Sequence, residues 1–153
     1  MATTTASITL SSPDLLSQAI SLSSSMTLYK GGTTSTGLEQ VNYHRAIIPI
    51  DDYGSGTATG YDIIPESDAL KDNSNYVYII NKNTDPTHYV EISIKDEVIG
   101  HLYAGDWLFM PWSCDLSAAA TDSSIELQAF EASATVEWAL FHVGETLVTE
   151  TDS

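Results

Sequence analysis

The run Asn75-Tyr76-Val77-Tyr78-Ile79-Ile80-Asn81, followed after a turn by Tyr89-Val90-Glu91-Ile92-Ser93-Ile94, decides the fold. Both runs have the length of a β-strand, and turn residues bound them. The first is apolar on both faces. It must be covered twice, either by two layers of its own domain or by another subunit. In the second, Val90, Ile92 and Ile94 point one way and Glu91 and Ser93 the other, which is the pattern of a half-buried antiparallel strand. Asn83-Thr84-Asp85-Pro86 supplies the turn between them.

Toward the C-terminus the same grammar repeats. Lys95-Asp96-Glu97 closes a hairpin into a strand over 98–102, and Ala104-Gly105-Asp106 turns into Trp107-Leu108-Phe109-Met110-Pro111-Trp112. Pro111 has no N–H to give a ladder, so this strand is an edge or ends there. Strands over 125–129 and 134–143 follow. In the latter, Val136, Trp138, Leu140 and His142 share one face, while Thr135, Glu137, Ala139 and Phe141 share the other.

Toward the N-terminus, Tyr61–Ile64 reads as a short strand. Pro65-Glu66-Ser67-Asp68-Ala69-Leu70 has the Pro-first, acid-rich start of a brief helical turn. Asp51 to Gly60 is loop. Leu38 to Ile50 alternates through Val41, Tyr43, Arg45 and Ile47 and reads as a long strand ending near Pro49. Residues 1–36 are rich in Ser and Thr; Ile20 and Leu22, then Met26 and Leu28, keep a period of two that suits extended segments. Leu15 to Ala19, after Ser12-Pro13-Asp14, could instead form one helical turn. The expectation is an N-terminal arm or edge segment over 1–36, an all-β antiparallel sandwich or barrel over 37–143, and an acidic C-terminal tail over 144–153.

The 153 residues suit one core that removes roughly two thirds of the unfolded surface from water. A hydrophobic fraction of 42% and a mean hydropathy of −0.05 are those of a globular chain, so its acidity decorates a fold. Five Lys and Arg against 21 Asp and Glu give a formal charge of −16 and a pI near 4.1. Lys30, Arg45, Lys71, Lys82 and Lys95 are scattered singly, which argues against gripping nucleic acid or an anionic membrane. Cys114 is the sole cysteine, so no intrachain disulfide forms. Met1 to Ser12 lacks a basic and an apolar leader region, and no later segment reaches the length of a membrane span. The expectation is a chain neither secreted by that route nor embedded.

The candidate chemistry is sparse. Gly54-Ser55-Gly56-Thr57-Ala58-Thr59-Gly60 follows Asp51-Asp52 and opens no helix, so it reads as a surface loop, not a phosphate cradle. Asp51, Asp52, Asp62, Glu66, Asp68 and Asp72 offer oxygen ligands without the spacing of a calcium loop, and read as a solvated acidic face. His44, His88, His101 and His142 lie on separate segments with no paired spacing for zinc. Cys114 has no base at sequence level, and no nucleophile elbow exists, so catalysis and cofactors are not expected. The aromatic set Tyr76, Tyr78, Trp107, Phe109, Trp112 and Trp138 carries more apolar area than one modest core needs. Core packing is the first reading of this set, with subunit contact or a sugar-stacking platform beside it; for subunit contact the candidates are Tyr76, Tyr78, Trp107, Phe109 and Trp112.

The segments 76–85, 89–93, 102–112 and 134–141 together resemble the small virion structural proteins of tailed bacteriophages, in particular β-sandwich head decoration or cement proteins. The likeness lies in a strand ending at Asn81-Lys82-Asn83-Thr84, the Tyr89-Val90-Glu91-Ile92 strand, the Leu102 to Pro111 segment through Gly105-Asp106, and the terminal Ala134-Thr135-Val136-Glu137-Trp138 strand. It covers about the C-terminal half of the chain. The resemblance implies a jelly-roll-like sandwich with no enzymatic role, made in the host cytoplasm and bound on the outer capsid surface of the virion. It implies a homotrimer bridging subunits of the major capsid protein, with the N-terminal arm and the doubly apolar strands making contacts. Two competitors stand beside it: a tail, baseplate or fibre component of such a virion, and a carbohydrate-binding module in which Tyr53, Tyr61, Trp107 or Trp112 stacks on sugar rings.

Overall fold

The computed structural model describes residues 3–13, 20–29, 33–50, 61–64, 75–94, 97–112 and 125–143. These residues form ten strands and no helix: β1 (Thr4–Ser12), β2 (Ile20–Leu28), β3 (Gln40–Ile48), β4 (Tyr61–Ile64), β5 (Asn75–Asn81), β6 (Tyr89–Ile94), β7 (Glu97–Tyr103), β8 (Trp107–Trp112), β9 (Ile125–Phe130) and β10 (Ala134–His142). The expected all-β, antiparallel chain is what folds. The expected strand boundaries from β5 onward agree to within a residue or two.

Two four-stranded sheets carry the body, in the orders β3-β10-β5-β8 and β4-β9-β6-β7, and every ladder between named strands is antiparallel. The pairing is nested: β3 joins β10, β4 joins β9, β5 joins β8 and β6 joins β7. β10 and β9, made late in the chain, therefore occupy central positions. Past Pro49 the chain leaves β3, and Ile50 bridges Ala129 of β9 in the other sheet.

One cluster of buried side chains draws on both sheets: Ile48, Val77, Ile79, Val136, Trp138 and Leu140 from one, and Val90, Ile92, Leu102, Ile125 and Leu127 from the other. Period-two burial explains the assignment. On β10 the inward positions Ala134, Val136, Trp138, Leu140 and His142 are all buried, as the alternation predicts. Removing each Val, Leu or Ile side chain from water contributes about 1.5–3 kcal/mol, so this seam is the main apolar contribution to stability. β8 is an edge strand among the described residues, which suits Pro111.

A polar tie crosses the cluster. Asn81, at the end of β5, has no exposed surface; its Nδ2 donates to the Leu102 carbonyl on β7 at 2.9 Å, and its Oδ1 accepts the Asn83 N–H at 3.0 Å. Its own N–H donates to the Asp106 carbonyl, and its carbonyl accepts the Gly105 N–H. Asn83 Oδ1 in turn accepts the Thr135 N–H at 3.1 Å. The β5–β6 loop, the β7–β8 turn and the start of β10 are thereby fastened at one point, and all four hydrogen bonds of Asn81 are local to that corner. Gly105, with φ of 83°, takes the left-handed turn conformation that lets its N–H reach Asn81.

In place of an extended arm, residues 3–13 and 20–29 form a hairpin, with β1 and β2 paired over nine positions from Thr4↔Leu28 to Ser12↔Ile20. Alternation is the reason: paired strands with apolar residues on one face and hydroxyl residues on the other satisfy each other's backbone groups. The helical turn considered at 15–19 and that at 65–70 lie outside the described residues, as do the 51–60 loop and the 144–153 tail.

Candidate subunit-contact face

The face of the β3-β10-β5-β8 sheet that points away from the core is built from the outward positions of four strands. β5 supplies Tyr76 and Tyr78, β8 supplies Trp107 and Phe109, β10 supplies Glu137 and Phe141, and β3 supplies Val41, Tyr43, Arg45 and Ile47. Tyr76 stacks on Phe109 at a centroid distance of 5.5 Å and 14° between planes. Phe109 meets Phe141 edge-on at 6.4 Å, and Tyr78 lies 6.4 Å from Trp107. Such pairs add about 0.5–1.5 kcal/mol each beyond their area. The rings hold one another in place before anything binds.

Four of the five residues predicted for subunit contact, Tyr76, Tyr78, Trp107 and Phe109, share this face. Trp112 does not: it is buried among the core residues. Parity along β8 carries the difference, because Trp112 shares its face with Leu108 and Met110, not with Trp107 and Phe109. Phe141 joins the face without having been singled out, although its alternation with Leu140 and His142 marks it as outward.

The hairpin stands over part of this surface. Thr5, Ser7, Thr9, Ser11, Ser21, Ser23, Ser25 and Thr27 make one side entirely of hydroxyl residues, and Ala6, Ile8, Leu10, Ile20, Leu22, Met26 and Leu28 lie on the other. A groove of about 420 Å³ separates this apolar side from the rings; Ala6, Ile8, Met26, Tyr78, Trp107 and Phe141 are among its lining residues. At its base the hairpin is tied to the body by the buried Leu28, whose carbonyl accepts the Leu38 N–H at 2.9 Å, and by Thr4 Oγ1, which donates to the Leu38 carbonyl at 2.8 Å. Toward its tip, Leu10 and Leu22 are opposite each other and more than half exposed.

Charge is sparse on this face. Arg45 Nη1 lies 3.7 Å from Glu137 Oε1, an exposed guanidinium beside a largely covered carboxylate. The hydrogen bond from the Tyr43 hydroxyl to Glu137 raises the phenol above its usual range, because ionising it would set two negative charges side by side.

The remaining candidates are dispersed. His44 stacks on Trp138 at 5.4 Å; His88 lies 3.6 Å from Asp85; His101 lies 3.1 Å from Glu91; and the buried His142 sets Nδ1 2.8 Å from the Val143 carbonyl. Among the described residues no three metal-ligating side chains gather. Cys114, Tyr53, the 54–60 glycines and all but Asp62 of the acidic group lie outside the described residues. A second aromatic group escaped the sequence reading. On the outer face of the other sheet, Tyr89 stacks on Phe130 at 4.9 Å and sits 4.5 Å from His101 and 5.4 Å from Tyr103. The register Tyr103↔Tyr89↔Phe130 across three strands assembles it, and that register is not written in any one segment. What the described surface offers chemically is an apolar area whose rings are fixed by contact with one another. Compared with known proteins, the chain matches no family model, no curated protein and no solved structure.

Proposed function

We propose that this chain is a non-enzymatic virion structural protein of a tailed bacteriophage, a capsid decoration protein that binds the major capsid protein on the outer head surface. Its body is an eight-stranded jelly-roll sandwich. The nested order supports that topology, since pairing the first strand of eight with the last, the second with the seventh and so inward is what results when one long hairpin is rolled up. Burial of residues from both sheets in one cluster supports two layers packed face to face.

The observation that carries the reading is the half-roofed aromatic face. A chain of charge −16 keeps copies and particles apart over most of its surface, yet it holds rigid rings and an uncovered apolar hairpin stripe together at one place. That combination suits a protein docked firmly on one side and repellent on the other. The hairpin and the ring face are the contact elements in this reading.

The test is mass spectrometry of separated heads and tails, followed by add-back of purified protein to heads that lack it. Enrichment in heads is expected, with Trp107→Ala reducing co-sedimentation at least tenfold. Enrichment in tails would move the protein to a tail, baseplate or fibre role, and absence from both fractions would sink the virion reading. The sugar-stacking alternative is weakened by the core position of Trp112, which leaves it without one of its proposed platforms.

A further inference from the structure

We infer that two copies of this chain join edge to edge along β3, antiparallel, about a twofold axis through His44. Among the described residues β3 is paired by β10 alone, so one side of a nine-residue strand presents open N–H and C=O groups. Soluble proteins blunt such an edge with lysine, proline, a bulge or a covering segment. Here the ladder to β10 runs from Gln40 to Ile48 without a shift of register, and Arg45 is the only Lys, Arg, Asp or Glu of β3 itself. The groove between the hairpin and the sheet is lined by β1 and β2 on one side and by β5, β8 and β10 on the other, with no β3 residue among the described lining. On β3, Val41, Tyr43 and Ile47 stay 53%, 59% and 68% exposed.

The sequence of β3 fits itself. With the axis through His44, Val41 lies opposite the partner's Ile47 and Tyr43 opposite the partner's Arg45, and symmetry repeats both pairs. Apolar groups meet apolar groups, and a guanidinium meets a phenol ring, a favourable cation–π pairing. An axis through Arg45 would set the two arginines against each other. One through Tyr43 would set Val41 against the partner's Arg45 and Ile47 against the partner's Glu39.

Charge selects the same place. Over most of the surface two copies of charge −16 repel, but within the paired strand itself each Arg45 lies beside its own Glu137, and Glu39 falls just beyond it, opposite the partner's Pro49. The two His44 rings, each stacked on its own Trp138, lie across the axis on the other face of the ladder. This pairing stands apart from the virion reading and differs from the homotrimer that the family resemblance implies.

Sedimentation velocity on the full chain at about 100 µM tests it, since a specific pair is populated well above its dissociation constant. A dimer is expected. Ile47→Arg, at an exposed position that leaves the circular dichroism unchanged, should weaken it at least tenfold. In a Cys114→Ser background, His44→Cys should oxidise to a disulfide-linked dimer, whereas Asn42→Cys, which lies opposite the partner's Ala46, should not. A monomer at that concentration, a trimer, an unaffected Ile47→Arg dimer, or equal cross-linking of the two cysteine variants overturns the pairing. None of these results alters whether the protein is found in heads, so the two readings fail separately.

Discussion

Replacing Asn81 with alanine removes two side-chain hydrogen bonds from a residue with no exposed surface: Nδ2 to the Leu102 carbonyl at 2.9 Å, and Oδ1 to the Asn83 N–H at 3.0 Å. Each such bond contributes about 0.5–1.5 kcal/mol net, and a partner left buried and unpaired adds about 1–3 kcal/mol. Leu102 is itself buried, whereas Asn83 is half-buried and water can reach it, so the full penalty falls on one group and not two. The expected cost is therefore about 2–6 kcal/mol, each kcal/mol of which lowers Tm by roughly 2–4 °C for a domain of this size. Urea unfolding followed by tryptophan fluorescence measures it directly, because Trp112 and Trp138 are core residues. Asn83→Ala, which loses only the acceptor for the Thr135 N–H, should cost about 1 kcal/mol. If Asn81→Ala costs under about 0.5 kcal/mol, or no more than Asn83→Ala, the corner is not the fastening argued from its geometry.

Gly105→Ala meets no neighbouring atom, so only its φ of 83° opposes the substitution; a loss of about 1 kcal/mol in thermal or urea unfolding is expected. Asp85 is held below its usual range by the Thr87 N–H at 3.0 Å and the Thr87 hydroxyl at 2.7 Å. Its contribution is present above the unfolded value near 3.8 and is lost as pH falls through the lower folded value, so Asp85→Asn should flatten the acid limb of the stability curve between those two values. For Tyr43 the folded phenol titrates above its ordinary value of 10.0, so Glu137→Gln, which removes the adjacent carboxylate, should bring the midpoint of its phenolate absorbance down. An unchanged midpoint would show that Glu137 is not the cause.

The strands from β5 onward were legible because each carries its own period and its own turn. Val90, Ile92 and Ile94 alternate with Glu91 and Ser93, and Asp85-Pro86 and Gly105 bound the runs. Alternation says that a segment is extended, not which side is covered. On β3 the apolar row Val41, Tyr43 and Ile47 is the exposed one, and Ile48 and Ala46 face the core. Trp112 could have been placed correctly by counting parity from Trp107. The pairing of β3 with β10 could not, because contacts between residues some ninety positions apart leave no local pattern. The hairpin was half legible: Ile20, Leu22, Met26 and Leu28 mark extension, but Ser and Thr specify a partner strand weakly.

The nested order also bears on when the protein takes shape during its synthesis. β10 lies between β3 and β5, so the sheet lacks an interior strand until residues 134–142 have left the ribosome. Until then the ladders of β10 with β3 and with β5 cannot form, although β5 can pair with β8 and the β4-β9-β6-β7 sheet can assemble, so Val77, Ile79 and the rings of β5 lack their β10 neighbours on that side. Completion of that sheet is thus a late event, and a chain interrupted shortly before β10 would emerge with β3 and β5 unjoined.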